Sequence, residues 1–155
     1  MAVTIRAYRP ADVDALIALF RAAVRQVASR DYTAAQVRAW APDVIDRAPW
    51  LERRASRPTF VAELDGRIAG FSDLEPDGHL DMMFVHPRFH RLGVATALVS
   101  HVEAQARRLG LPRIYAEVSL TARPFFQRQG FRYIADRTIE QDGLSFLTFD
   151  MEKKV

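Results

Sequence analysis

Between His79 and Gly110 the chain runs through a hydrophobic strand, a proline turn and an amphipathic helix without a spacer, and this stretch constrains the fold more than any other. Leu80, Met82, Met83, Phe84 and Val85 make the apolar run, Pro87 turns the chain, and a short basic loop follows with His90, Arg91, Leu92 and Gly93. Val94, Leu98, Val102 and Ala106 then recur at one-turn spacing, with Val99 and Leu109 widening the stripe. Arg107 and Arg108 fill the last turn, and Gly110 and Pro112 stop the helix. A helix N-terminus carries unpaired N–H groups and about half a positive charge, so a slim turn leading into one holds phosphate. Arg91 to Ala95 is the candidate cradle: Gly93 lets backbone approach the ligand, Ala95 keeps the next turn slim and Arg91 adds charge.

The whole chain bounds what that motif serves. Its 155 residues suit one domain, 1–155, with a substantial core, and 49% hydrophobic with 26% charged residues excludes a disordered or fibrous chain. The apolar runs are too short to span a bilayer and the N-terminus lacks a signal-peptide apolar region, so the expected location is cytoplasmic with no membrane partner. The absence of cysteine removes disulfides, thiolate zinc sites and cysteine nucleophiles. The net charge of +3 is spread among 22 basic and 19 acidic residues, which suits a polyphosphate ligand and gives no like-charge block for nucleic acid.

In chain order, residues 2–8 alternate as a half-buried strand. Pro10 opens a helix with Asp12 and Asp14 in its first turn and a stripe of Val13, Leu16, Ile17, Phe20, Val24 and Val27. Thr33 and Gln36 have capping-box spacing for a second helix, and Asp43 to Arg54 reads as a third. Tyr32, Trp40 and Trp50 put three large aromatics in this insertion, either as one edge of a substrate cleft or as anchors of a small helical cap. Thr59–Leu64 and Arg67–Leu74 flank Asp65-Gly66 as a hairpin. After the central strand and helix come a strand at Arg113–Val118, a short helix near Ala122–Gln129, and strands at Phe131–Glu140 and Leu144–Glu152 around Asp142-Gly143. The expected fold class is α+β: a mixed, mostly antiparallel sheet of about seven strands flanked by helices, with one parallel βαβ crossover and a ligand crevice at the carboxyl ends of its two strands.

Two motifs in this order resemble the GNAT acetyltransferase superfamily. VHPRFHRLGVATALV, residues 85–99, is similar to the family's strand, proline and Q/R-x-x-G-x-G/A pyrophosphate loop, with His90, Gly93 and Ala95 at the patterned positions. SLTARPFFQRQGF, residues 119–131, is similar to N-x-x-A-x-x-F-Y-E-x-x-G-F. The aromatic insertion and ARPFF look most like a poorly characterised branch of acetyltransferases. The resemblance implies acetyl-CoA as co-substrate, no metal, and direct attack of a primary amine on the thioester in a ternary complex. It further implies cofactor contacts from His90, Arg91, Leu92, Gly93, Val94, Ala95 and Thr96, backbone donors at Met83, Phe84 and Val85, and family positions at Ser119 and Phe126. Ser119 stands where the family has asparagine, and Phe126 where many relatives have the tyrosine that protonates the departing thiolate; a phenyl ring donates no proton.

A preorganised backbone donor at the thioester oxygen supplies roughly 3 kcal/mol. An alkylammonium, with a reference pKa of about 10.4, needs a base at neutral pH. On the central strand His79, Asp81, Met83 and Val85 share one face by alternation, which makes His79 and Asp81 the leading base candidates, with Glu117 on the neighbouring strand third. Tyr32, Trp40 and Trp50 suit an apolar or cationic small-molecule acceptor. The final strands, Leu144 to Met151 among them, offer an edge for a homodimer.

Other chemistries lack their motifs. His86, His90 and His101 have ligand-like spacing, but H-E-x-x-H is absent. There is no G-x-x-x-x-G-K-[ST], Gly93 lacks two partner glycines, and no G-x-S-x-G occurs. The rival reading is a GNAT-like domain that binds CoA or acyl-CoA as a sensor or interaction module, supported by Phe126.

Overall fold

The computed structural model describes residues 2–155. Four strands, β1 (Val3–Ala7), β2 (Thr59–Leu64), β3 (Arg67–Asp73) and β4 (Met83–Val85), form an antiparallel sheet in that order. Strands β5 (Arg113–Ser119), β6 (Arg132–Gln141) and β7 (Leu144–Lys154) form a second, with β7 in the centre. The helices are α1 (Val13–Gln26), α2 (Ala34–Trp40), α3 (Arg47–Ala55), α4 (Val94–Arg108) and α5 (Arg123–Arg128). Both expected Asp-Gly hairpins form, with positive φ at each pair: 52° and 74° at Asp65 and Gly66, 51° and 75° at Asp142 and Gly143.

Burial follows the periodicities. The stripe of α4 packs with Ala62, Leu64 and Ala69 on one side of the first sheet, while α1 and α2 pack with Val61 and Phe71 on the other. The approach of α4 is possible because position 70 is glycine: a Cβ there would meet Phe84 O and Val94 Cγ1 at 3.0 Å. Thr33 and Gln36 form the capping box of α2 as spaced.

Four details differ from the pattern. Leu109 is 53% exposed, because it caps α4 rather than extending its stripe. The third helix starts at Arg47, where the Asp46 side chain accepts the Ala48 N–H, and residues 43–46 bend outward with Val44 86% exposed. The edge expected at Leu144–Met151 is closed differently along its length: from Thr148 onward β7 pairs with both β5 and β6, while residues 144–147 pair with β6 alone and their other side takes Tyr32 OH on Leu147 O and Gln36 Nε2 on Ser145 O; β6 is an edge strand. Finally, the seven strands divide into two sheets, and outside the named strands one parallel bridge, His79 to Tyr115, joins them.

The apolar run before β4 is also interrupted. Asp73 Oδ1 accepts the N–H groups of Asp81 (2.8 Å) and Met82 (3.0 Å), and Ser72 Oγ donates to Met82 O (2.9 Å). Side chains thus replace the ladder at residues 81 and 82, and the even alternation from His79 to Val85 does not hold.

Candidate active site

The segment just before β4 meets β5 at a single bridge, and among the described residues β4 itself pairs only with β3. Tyr115 N–H donates to Gly78 O (3.1 Å), Leu80 N–H donates to Tyr115 O (2.8 Å), and beyond this point β4 pairs with β3 while β5 pairs with β7. A cleft of about 1060 Å³ opens at the parting. Its walls come from residues 80–85, from 116–119, from the turn into α4, and from α1, α2 and α5.

His86 N–H bonds to Ala69 O (2.8 Å) on the β3 side. Antiparallel alternation commits Phe84 N–H to β3 as well and turns those of Met83 and Val85 to the open side. The three expected donors therefore reduce to two, and Phe84 contributes its ring, which meets Phe20 edge-on at 5.0 Å.

At the other end of the cleft Arg91 and Gly93 take left-handed φ values of 63° and 81°. This turn leads into α4, whose first inward bond is Ala97 N–H to Gly93 O (3.0 Å), so the amides before it have no intrahelical acceptor. A Cβ on Gly93 would meet nothing within 4 Å, so the chain itself leaves open the space a phosphate needs. His90, Arg91, Gly93, Val94, Ala95 and Thr96 line the cleft, with Arg128 and Gln129 across from them; Leu92 is exposed outside it. Gln129 Nε2 donates to Thr96 Oγ1 (3.4 Å), and Lys153 Nζ donates to both Gln129 O (2.7 Å) and Glu103 (2.6 Å), tying α5, α4 and β7 together.

Ser119 Oγ accepts the Ala122 N–H (3.1 Å), which turns the chain from β5 into α5. Phe126 lines the cleft yet is buried against Phe125 and Phe131, with ring centroids at 5.5 and 5.0 Å.

The three base candidates sit differently. His79 is bound on both ring nitrogens, Nδ1 to Glu75 (2.7 Å) and Nε2 to Glu117 (2.8 Å). The Glu117 bond chiefly pushes its pKa up to about 9, so it is a cation at neutral pH, and it is not among the cleft walls. Asp81 lines the cleft, but its Oδ2 accepts from Arg57 (3.0 Å). Glu117 lines the cleft from β5 with His79 behind it. Ligating atoms of Glu75, His79 and Asp81 lie within 4.8 Å of one another, and the Arg57 guanidinium stands 3.0 Å from both carboxylates.

Tyr32, Trp40 and Trp50 all line the cleft and all belong to the core beneath it. The Tyr32 hydroxyl donates to Leu147 O and accepts from Leu120 N–H, both at 2.9 Å. It stands where the next rung between β5 and β7 would fall, after Ser119 and Thr148. Trp40 meets Tyr32, Phe84 and Phe146 edge-on, and Trp50 meets Phe20 and Phe71, so the indoles are anchors and cleft wall at once.

A sequence model of the acetyltransferase (GNAT) domain matches residues 28–154. The chain belongs to the GNAT family. It is an acetyl-CoA-dependent N-acetyltransferase, and GNAT acetyltransferases use acetyl-CoA or CoA. It is 35% identical over 152 residues, 98% of this chain and 96% of the relative, to the uncharacterized N-acetyltransferase YafP of Escherichia coli (strain K12). A GCN5-related N-acetyltransferase from Rhodopseudomonas palustris superposes with a TM-score of 0.95 at 30% identity, over 100% of this chain and 97% of that one. The fold is shared too by the PaiA N-acetyltransferase of Thermoplasma acidophilum, solved with coenzyme A, at a TM-score of 0.77 and 18% identity, with both chains fully covered.

In this GNAT chain, sequence reasoning missed the polar layer behind the cleft. Arg54 and Asp73 form a fully buried pair (2.9 Å) that holds residues 81 and 82, and burial raises the pKa of Asp73. Thr121 was also missed; its buried Oγ1 has no partner among the described residues, and the residue lines the cleft beside α5. Arg53, Arg54 and Arg57 read in sequence as a basic helix end, and nothing local marks the middle one as buried.

Proposed function

We propose that the chain, as one domain, transfers the acetyl group of acetyl-CoA to a primary amine on a small molecule by direct attack within a ternary complex. The parting of β4 from β5 supports this most, because one cleft then joins free backbone donors, a phosphate-sized turn and an aromatic chamber. Acetyl-CoA supplies the activated acyl group. The amides from Arg91 to Thr96 hold its pyrophosphate at the positive end of α4, with Arg91 and Arg128 alongside. Met83 and Val85 N–H donate to the pantetheine arm and to the carbonyl oxygen as charge develops there.

Glu117 is the base in this reading, directly or through water. It faces the cleft with His79 as its one ion-pair partner among the described residues, whereas His79 is already protonated and Asp81 stands between two guanidiniums, Arg57 at 3.0 Å and Arg54 at 3.7 Å. His79 is a positioning residue that fixes the Glu117 carboxylate. The acceptor body sits among Phe20, Trp40, Trp50 and Phe146. A small-molecule acceptor, a cytoplasmic location and independence from nucleic acid and membranes complete the reading; among the described residues no helix is long and apolar enough to cross a membrane.

Phe126 favours the second reading, a CoA or acyl-CoA sensor, because it leaves the thiolate without the usual proton donor. Following free thiol with acetyl-CoA and a broad amine panel, with CoA binding measured separately, decides between them. Amine-dependent thiol release supports transfer; binding with no release above the uncatalysed rate for every amine supports the sensor.

A further inference from the structure

Arg54 is 1% exposed, and its guanidinium is only partly used. Nη1 donates to Asp73 (2.9 Å), while Nε and Nη2 have no hydrogen-bond partner among the described residues; Asp81 Oδ2, at 3.7 Å from Nη2, is too far. These two nitrogens carry the parallel N–H pair on one side of a guanidinium, the edge that matches two carboxylate oxygens. The protein uses that edge in this way elsewhere: Arg137 Nε and Nη2 donate to the two oxygens of Asp150 (2.6 and 3.0 Å), and Arg47 to those of Asp14 (2.8 and 3.4 Å). Buried charged donors left unpaired are costly, so an empty fork of this kind calls for a ligand.

A cavity of about 100 Å³ lies against Arg54, walled by Pro49, Trp50, Arg53, Arg54 and Met82. All but Arg54 also wall the acceptor end of the main cleft. Two arginines and no acid line it, and its size suits a carboxylate with the carbon that bears it.

We propose that Arg54 and this cavity form a subsite for a carboxylate carried by the acceptor, so that the acceptor is a zwitterion joining an amine, an apolar body and a carboxylate. The assignment rests on the acceptor reading above and adds its charged end. The carboxylate docks on Nε and Nη2 of Arg54, Arg53 supplies a second positive charge from the rim, and the apolar body lies against Trp50.

Binding tests this without turnover. The full chain is titrated with phenylacetate and, separately, with its uncharged analogue 2-phenylethanol, while the Arg54 Nε–H resonance is followed by NMR. Phenylacetate is expected to shift that resonance saturably, and 2-phenylethanol to leave it in place. Met82→Phe fills the cavity without removing the Arg54–Asp73 pair, and should weaken phenylacetate binding about tenfold or more through the lost charge-assisted bonds while CoA still binds. No saturable shift in the wild type, as when ordered water occupies the fork, overturns the proposal, and so does an equal shift with 2-phenylethanol. Absence of acetyl transfer alongside intact phenylacetate binding would count against the acceptor reading and leave the subsite standing.

Discussion

His79 Nε2 lies 2.8 Å from a carboxylate oxygen of Glu117, beside the His79–Tyr115 bridge that, among the described residues, alone joins the two sheets outside the named strands. The same ring binds Glu75 through Nδ1 (2.7 Å), so one imidazolium fastens the turn before β4 to β5 and orients the carboxylate that faces the cleft.

A pH-dependent stability follows. The folded pKa of His79, about 9, lies above its ordinary 6.5, so the pairing stabilises the fold fully below pH 6.5 and is lost as pH rises through 9. Thermal unfolding of wild type and His79→Gln should therefore differ most near pH 6 and converge above pH 9; a constant gap over that range would show that His79 is not bound as a cation.

The phosphate turn gives a separable effect. Gly93→Ala places a Cβ in open space at a φ of 81°, so it strains the turn by about 1–2 kcal/mol and obstructs the ligand. CoA affinity should fall about tenfold, the order of one charge-assisted hydrogen bond, while the protein stays folded. Titration calorimetry with CoA checks this, and unchanged affinity would remove the turn from the site.

Asp73 binds Arg54 and the amides of Asp81 and Met82 with no exposure of its side chain. Asp73→Asn leaves the guanidinium without its buried counter-charge and should cost about 3–5 kcal/mol in urea unfolding. A loss under about 1 kcal/mol would mean that Arg54 finds another partner.

Phe126→Tyr tests acid catalysis. A thiol of reference pKa about 8.5 leaves tolerably near neutrality without a proton donor, so turnover should change by less than about threefold. A large gain would show that the native cleft lacks an acid it needs.

Strand order, both hairpins, the α2 capping box and the turn into α4 were legible because each rests on local pattern: alternation, Asp-Gly turns, Thr33 with Gln36, and a helix stripe behind Gly93. The interruption at residues 81 and 82 was not, because it is made by Asp73 and Ser72 from the neighbouring strand. For the same reason alternation alone ranked His79 ahead of Glu117. The two carboxylates that bind His79 lie four residues before it and across the sheet. Tyr32 shows the mixed case: its aromatic character pointed to the cleft, but its hydroxyl serves Leu147 and Leu120, remote in sequence.

Whether Glu117 drives amine acetylation is read from initial rates of thiol release from acetyl-CoA across an amine panel, for wild type and Glu117→Gln. Wild type should release thiol only with an amine present, and kcat should fall by about 10²–10⁴ in the variant, the usual contribution of a general base, with CoA affinity retained. Wild type that binds CoA but releases no thiol above the uncatalysed rate with any amine, or a variant as fast as wild type, would contradict that role.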